Sequence, residues 1–148
     1  MKNMKFGLKG LVAGFLLTAG AAQAADVAVI VQRSNPEALS MEQIKNIYSD
    51  RRTTWRSGQT IEIYNLPANQ EARDIFARQV LGMSGQAAAS AESRRKVNNT
   101  LKNPSKTKRE RLVVSIVSKK RNAIGYVPLY MAEGKERIRI VKILKDKD

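Results

Sequence analysis

The sequence predicts an α/β domain of three layers, a largely parallel sheet flanked by helices on both sides. Three observations lead there. Val27 to Val31 is an unbroken, mostly β-branched apolar run, too short for a helix and typical of a strand buried on both faces. Beyond it, segments whose apolar residues recur at helical spacing alternate with short segments of strand character. No internal repeat or low-complexity tract interrupts that order.

Each element follows from its residues. Ser34-Asn35-Pro36 ends the first strand, and Ser40 opens a helix whose capping box is completed by Gln43, with Leu39 and Ile44 placed to staple the entry. Its core face is Met41, Ile44, Ile47 and Tyr48. A polar loop over 49–60 holds the only Trp, Trp55, and Ile61 to Tyr64 alternates as a half-buried strand should. Pro67 ends that strand. Asn69 is placed to cap the next helix, whose stripe is Ala72, Ile75, Phe76, Val80 and Met83 until Gly82 and Gly85 weaken it. An Ala-rich helix spans 84–101 and Asn103-Pro104-Ser105 breaks it. Thr107 and Glu110 form a second capping-box pattern, ahead of a stripe of Leu112, Val113, Ile116 and Val117. Asn122 suits a left-handed helix end. Ala123 to Val127 and Arg137 to Ile143 complete the strands, the last slipping phase at Val141.

Length and composition bound what such a domain can do. Residues 1–24 read as a secretory leader: Lys2, Lys5 and Lys9 precede the apolar stretch Leu11 to Ala22, and Ala22-Gln23-Ala24 offers a cleavage site. The apolar stretch is shorter than the ~20 residues a membrane span needs. Of 148 residues, 124 would remain, enough for one domain in the periplasm. The chain has no Cys and no His, so disulfides, thiol nucleophiles, imidazole bases and the usual zinc sites are excluded. Its carboxylates, lysines and hydroxyls show no spacing that suggests an acid and base pair, so no enzyme and no cofactor are expected.

The charge is unevenly placed. Beyond residue 24 there are 24 basic and 13 acidic side chains, a net of +11. Eleven of the basic residues lie between Arg94 and Arg121: Arg94, Arg95, Lys96, Lys102, Lys106, Lys108, Arg109, Arg111, Lys119, Lys120 and Arg121, against the single acid Glu110. Such a cluster either is a solvated surface or binds an acidic protein or a polyanion. No aromatic stripe or helix-turn-helix pattern accompanies it, so no sequence-specific nucleic-acid readout is expected.

Three stretches, LSMEQIKNIYSDRRTTW, SGQTIEIYNLPANQEARDIF and KNPSKTKRERLVVSIVSKKRNAIGYVPL, together resemble the substrate-binding component of phosphate ABC transporters. The resemblance implies one lobe of a type 2 periplasmic-binding-protein-like fold, where family members of full length close two lobes on phosphate. It further implies a non-enzymatic binding or accessory module for phosphate or another oxyanion. The family's phosphate turn, similar to Ser-Gly-Thr at a helix start, falls here on Ala68-Asn69-Gln70-Glu71. Asn69, Gln70 and Arg73 become the candidate anion ligands, and Glu71 opposes an anion there. The plainer alternatives are a capping role for Asn69, a solvated position for Arg73 and a core-edge role for Trp55.

Overall fold

The computed structural model describes residues 25–146; the expected leader, 1–24, lies outside them. Five strands form one sheet in the order β3-β2-β4-β1-β5: β1 Val27–Gln32, β2 Glu62–Asn65, β3 Lys106–Thr107, β4 Ala123–Pro128 and β5 Ile138–Leu144. β2 is parallel to β3 and β4, whereas β1 is antiparallel to both neighbours, β4 and β5. The strands β2 to β5 therefore share one direction, and β1 alone is reversed between β4 and β5. The largely parallel sheet predicted from the alternation of strands and helices holds for strand direction; the long pairings of β1 make the sheet mixed.

Helices α1 Met41–Tyr48, α2 Glu71–Phe76, α3 Gly85–Val97, α4 Glu110–Lys119 and α5 Leu129–Ala132 complete the layers. On one face, α4 packs Val113 and Val117 against Gly125. On the other, Tyr126 stacks on Phe76 of α2 with ring centroids 4.0 Å apart, and Tyr48 of α1 meets both edge-on. Alternate residues of β4 thus serve opposite layers, as the pleat requires. Every residue from Val27 to Val31 is fully buried, as an apolar run without polar alternation demands.

Local signals fare according to how local they are. The Ser40 capping box forms, with Ser40 Oγ accepting from Gln43 N–H at 3.2 Å and Gln43 Oε1 accepting from Ser40 N–H at 2.8 Å. The phase slip at Val141 is a bulge: Val29 pairs with Lys142 and Ile30 with Ile140, leaving Val141 as the extra residue. Other expectations are corrected. The Thr107–Glu110 box is absent, because Thr107 pairs with Asn65 in the sheet and Arg109 becomes the N-cap. β2 is mostly buried, since it lies between β3 and β4 and not at an edge. Asn69 sits in a turn ahead of Gln70, the actual N-cap. Beyond Phe76 the backbone widens into a π turn, Ala77–Leu81, that ends at Gly82 with φ 72, so Met83 leaves the predicted stripe and is exposed. Asn122 has no positive φ and instead accepts, through its carbonyl, from Glu62 N–H and Trp55 Nε1.

Candidate functional site

Strands that share a direction deliver their outgoing loops to one edge of the sheet, and that edge is where open α/β sheets bind ligands. Here β2 exits through Leu66–Gln70, β3 through Lys108–Arg109 into α4, and β4 through Pro128 into α5. The three exits enclose a cleft of about 900 Å³. The first contributes Pro67, Asn69 and Gln70, the second Arg109, Glu110, Arg111 and Leu112, and the third Tyr130 and Met131. No side chain caps the start of α4, so the N–H groups of its first turn have no partner within the helix and add partial positive charge beside Arg109 and Arg111. Glu110 is the acid on the same wall.

The β2 exit is held rigidly from beneath. Tyr126 Oη accepts from Leu66 N–H at 3.3 Å and donates to Asn65 Oδ1 at 2.7 Å. Asn65 Nδ2 donates to Ser105 Oγ at 2.8 Å, and Ser105 Oγ donates to Glu92 Oε2 at 2.6 Å. Burial raises the Tyr126 and Tyr48 hydroxyls above the ordinary phenol range, so both stay protonated donors. Arg73 Nη1 donates to the Leu66 carbonyl at 2.9 Å. Both backbone polar groups of Leu66 are therefore fixed by side chains, one from β4 and one from α2.

Of the three anion ligands read from the sequence, Asn69 and Gln70 line the cleft and Arg73 does not. Arg73 is 5% exposed, neither a ligand at the surface nor a solvated side chain. α2 is covered on a second side by α3, and Gly85 permits that approach: a Cβ there would lie 3.1 Å from Asp74 Cα and 3.3 Å from Arg73 Cγ. The helix consequently buries four of its six residues, more than an amphipathic stripe predicts.

The basic run is divided among several places. Arg109 and Arg111 reach the cleft, and Lys108 is exposed beside them. Lys106 and Lys120 both bind Glu62, each with Nζ 3.1 Å from Oε1. Arg95 faces Asp50 at 3.5 Å, and Lys96 donates to the Ser105 carbonyl at 3.4 Å. Arg94 and Lys102 are exposed near the end of α3, and Arg121 lines a separate hollow with Trp55 and Arg56. Trp55 itself is 4% exposed, donates through Nε1 to the Asn122 carbonyl at 2.8 Å and carries the Arg52 guanidinium 5.6 Å from its ring centroid. It covers the core edge, as the plainer account of this residue expects.

Glu62 supplies a pH-dependent element of this arrangement. The Tyr64 hydroxyl, with Lys120 and Lys106, holds its carboxyl at about 2 against the opposing effect of burial. A carboxylate depressed in the folded state adds stability that is present above its ordinary value of 4.5 and is lost as pH falls towards 2. The double variant Lys106→Gln, Lys120→Gln should melt below the parent at pH 6, and the two should converge near pH 2. Thermal melts across that range, with the Glu62 carboxyl followed by NMR, check it.

The fold and cleft define a class: a single α/β lobe with a mixed basic and apolar cleft where its parallel strands end. A family model described as PBP superfamily domain matches residues 21–145, and the chain belongs to that family. It is similar in structure to a protein from Clostridium perfringens described as a phosphate ABC transporter substrate-binding protein, solved with bound phosphate, at 22% identity and a TM-score of 0.58. It is also similar to an ABC-type phosphate transport receptor from Vibrio cholerae, at 17% identity and a TM-score of 0.59. These matches cover 80% of this chain but only 45% and 46% of those proteins, so the chain spans less than half their length. A search of curated proteins finds no match.

The cleft was half legible in the sequence. Arg109 and Arg111 stood out as members of a charge run, and Asn69 and Gln70 through the resemblance of their turn to the family's phosphate turn. Their meeting depends on strand order, which places β2 between β3 and β4. Leu112, Tyr130 and Met131 carried no signal as site residues: Leu112 read as core, and α5 is too short for a periodic pattern.

Proposed function

We propose that this protein is a non-enzymatic binding module for phosphate or a related oxyanion, exported to the periplasm, with the ligand held in the cleft between the β2, β3 and β4 exits. The observation that carries this reading is the convergence of Asn69 and Gln70 with Arg109 and Arg111 at the uncapped start of α4. Planar guanidinium groups, amide donors and helix N–H groups suit a tetrahedral oxyanion. Membership of the PBP superfamily and the likeness to a protein solved with bound phosphate support it.

The affinity should be modest. The cleft is open, and Glu110 on its wall and Glu71 in the adjoining hollow oppose an anion. Inorganic phosphate should bind in about the millimolar range, roughly 4 kcal/mol. Calorimetry should show Arg109→Gln with Arg111→Gln weakening it at least about tenfold, about 1.4 kcal/mol, because both guanidinium groups are exposed and water screens their charge-assisted bonds. Glu110→Gln should strengthen it. Equal affinity in the arginine variant and the parent would place any phosphate elsewhere and overturn the reading.

A further inference from the structure

We infer that the preferred ligand of this cleft is a phosphate monoester carrying an aryl or short apolar group, with Leu112, Tyr130 and Met131 receiving the organic part; this rests on the oxyanion reading above. A tetrahedral ion of one phosphorus and four oxygens fills only a small part of about 900 Å³. The remaining wall is apolar. Leu112 is 51% exposed and Tyr130 68% exposed, and both lie in the same cleft as Arg109 and Arg111. Large apolar side chains exposed singly are ordinary, whereas apolar groups gathered in a concavity beside a few placed polar groups form the common pattern of a small-molecule site. The apolar surface also continues past Met131 to Val114, in an adjoining hollow of about 330 Å³ that shares Arg111.

Charge narrows the class further. Arg109 and Arg111, with the uncapped start of α4, outweigh the one acid, Glu110, so the cleft favours a compact anion. A monoester keeps two negative charges near neutral pH and leaves one oxygen to carry the organic group away from Glu110. Tyr130 offers a flat face for an aromatic ring, and the Met131 thioether a polarisable edge.

The test compares inorganic phosphate, phenyl phosphate and benzyl alcohol by calorimetry on the protein and on the double variant Leu112→Ala, Tyr130→Ala, whose exposed positions should leave the melting temperature within a few degrees of the parent. Covering about 60 Å² of ring surface at about 25 cal/mol per Å² corresponds to about tenfold tighter binding of phenyl phosphate than of inorganic phosphate. The ratio should fall to near one in the double variant, and benzyl alcohol should show no measurable binding to either protein. Equal affinities of the two phosphates in the parent would overturn this inference while leaving the oxyanion reading standing. A preference that survives in the double variant, or binding of benzyl alcohol as tight as that of the ester, would also overturn it. Binding of neither phosphate would overturn both.

Discussion

Replacing Asp50 by alanine should destabilise the domain by about 3 kcal/mol, lowering the melting temperature by roughly 10 °C for a domain of this size. Asp50 is buried, its backbone lies at φ 65, and its carboxylate accepts from Lys102 N–H at 2.7 Å and Asn103 N–H at 2.9 Å while facing Arg95 at 3.5 Å. Alanine removes every one of these partners and adds the cost of a left-handed conformation, which Asp tolerates better than Ala. The link runs over fifty residues of sequence, from the end of α1 to the loop that feeds β3. Asp50→Asn, which keeps one acceptor oxygen and the backbone tolerance, should cost less than half as much. Asp50→Gly, which removes the bonds but relieves the backbone, should fall between them. Denaturant unfolding of the three variants checks the order; equal loss in all three would place the damage in the lost carboxylate charge beside Arg95 and not in the hydrogen bonds to residues 102 and 103 or the backbone.

Gly125→Ala should cost about 2–3 kcal/mol, and for the opposite reason, overpacking. A Cβ on Gly125 would sit 2.5 Å from Val113 Cγ1, a distance that forces something to move. Val113 is fully buried and stiff at χ1, and Val117 and Tyr64 close the remaining sides at 3.5 and 3.6 Å. The strand or α4 must therefore shift. Val113→Ala alone leaves a cavity and destabilises as well. Combined, the two substitutions should cost clearly less than their sum, because the methyl added at 125 enters the space vacated at 113. Additive losses in that double-mutant cycle would place the damage of Gly125→Ala elsewhere.

These two positions show what a sequence discloses and what it withholds. Gly125 carries a local signal, since a glycine in an otherwise apolar strand segment marks a place where another element approaches the backbone. β1, the Ser40 box and the slip at Val141 were legible because each depends on residues within a few positions of one another. Asp50 was not. Its role is set by a loop half a chain away, and its left-handed backbone has no pattern around it. Arg73 failed for a similar reason: its helix is covered by both the sheet and α3, a tertiary fact that converts a position resembling a ligand into the clamp on Leu66. The π turn after Phe76 and the missing cap at Thr107 are further cases in which sheet pairing and packing overrode local preference.

The candidate site follows the same division. Charge density named Arg109 and Arg111, and the resemblance to the phosphate turn of phosphate-transporter binding components named Asn69 and Gln70, yet only the order β3-β2-β4 brings them to one cleft. That order also pairs Lys106 and Lys120 with Glu62, while Arg95 on α3 faces Asp50 beyond the end of α1. A run of like charge in sequence need not be a patch in space. Three strand exits in the directions found here would have been the signal, had β3, two residues long and read as a helix cap, been apparent as a strand.

Where an oxyanion sits is the central question for this protein, and an NMR titration of the uniformly labelled chain with inorganic phosphate answers it directly. Binding in the cleft predicts saturable shifts of the backbone amides of Asn69, Gln70 and Arg109 to Leu112, with a midpoint in about the millimolar range, and loss of those shifts in the Arg109→Gln, Arg111→Gln variant. Shifts confined to Arg94, Lys102 and their neighbours at the end of α3, with the cleft amides unmoved up to saturation, would contradict it.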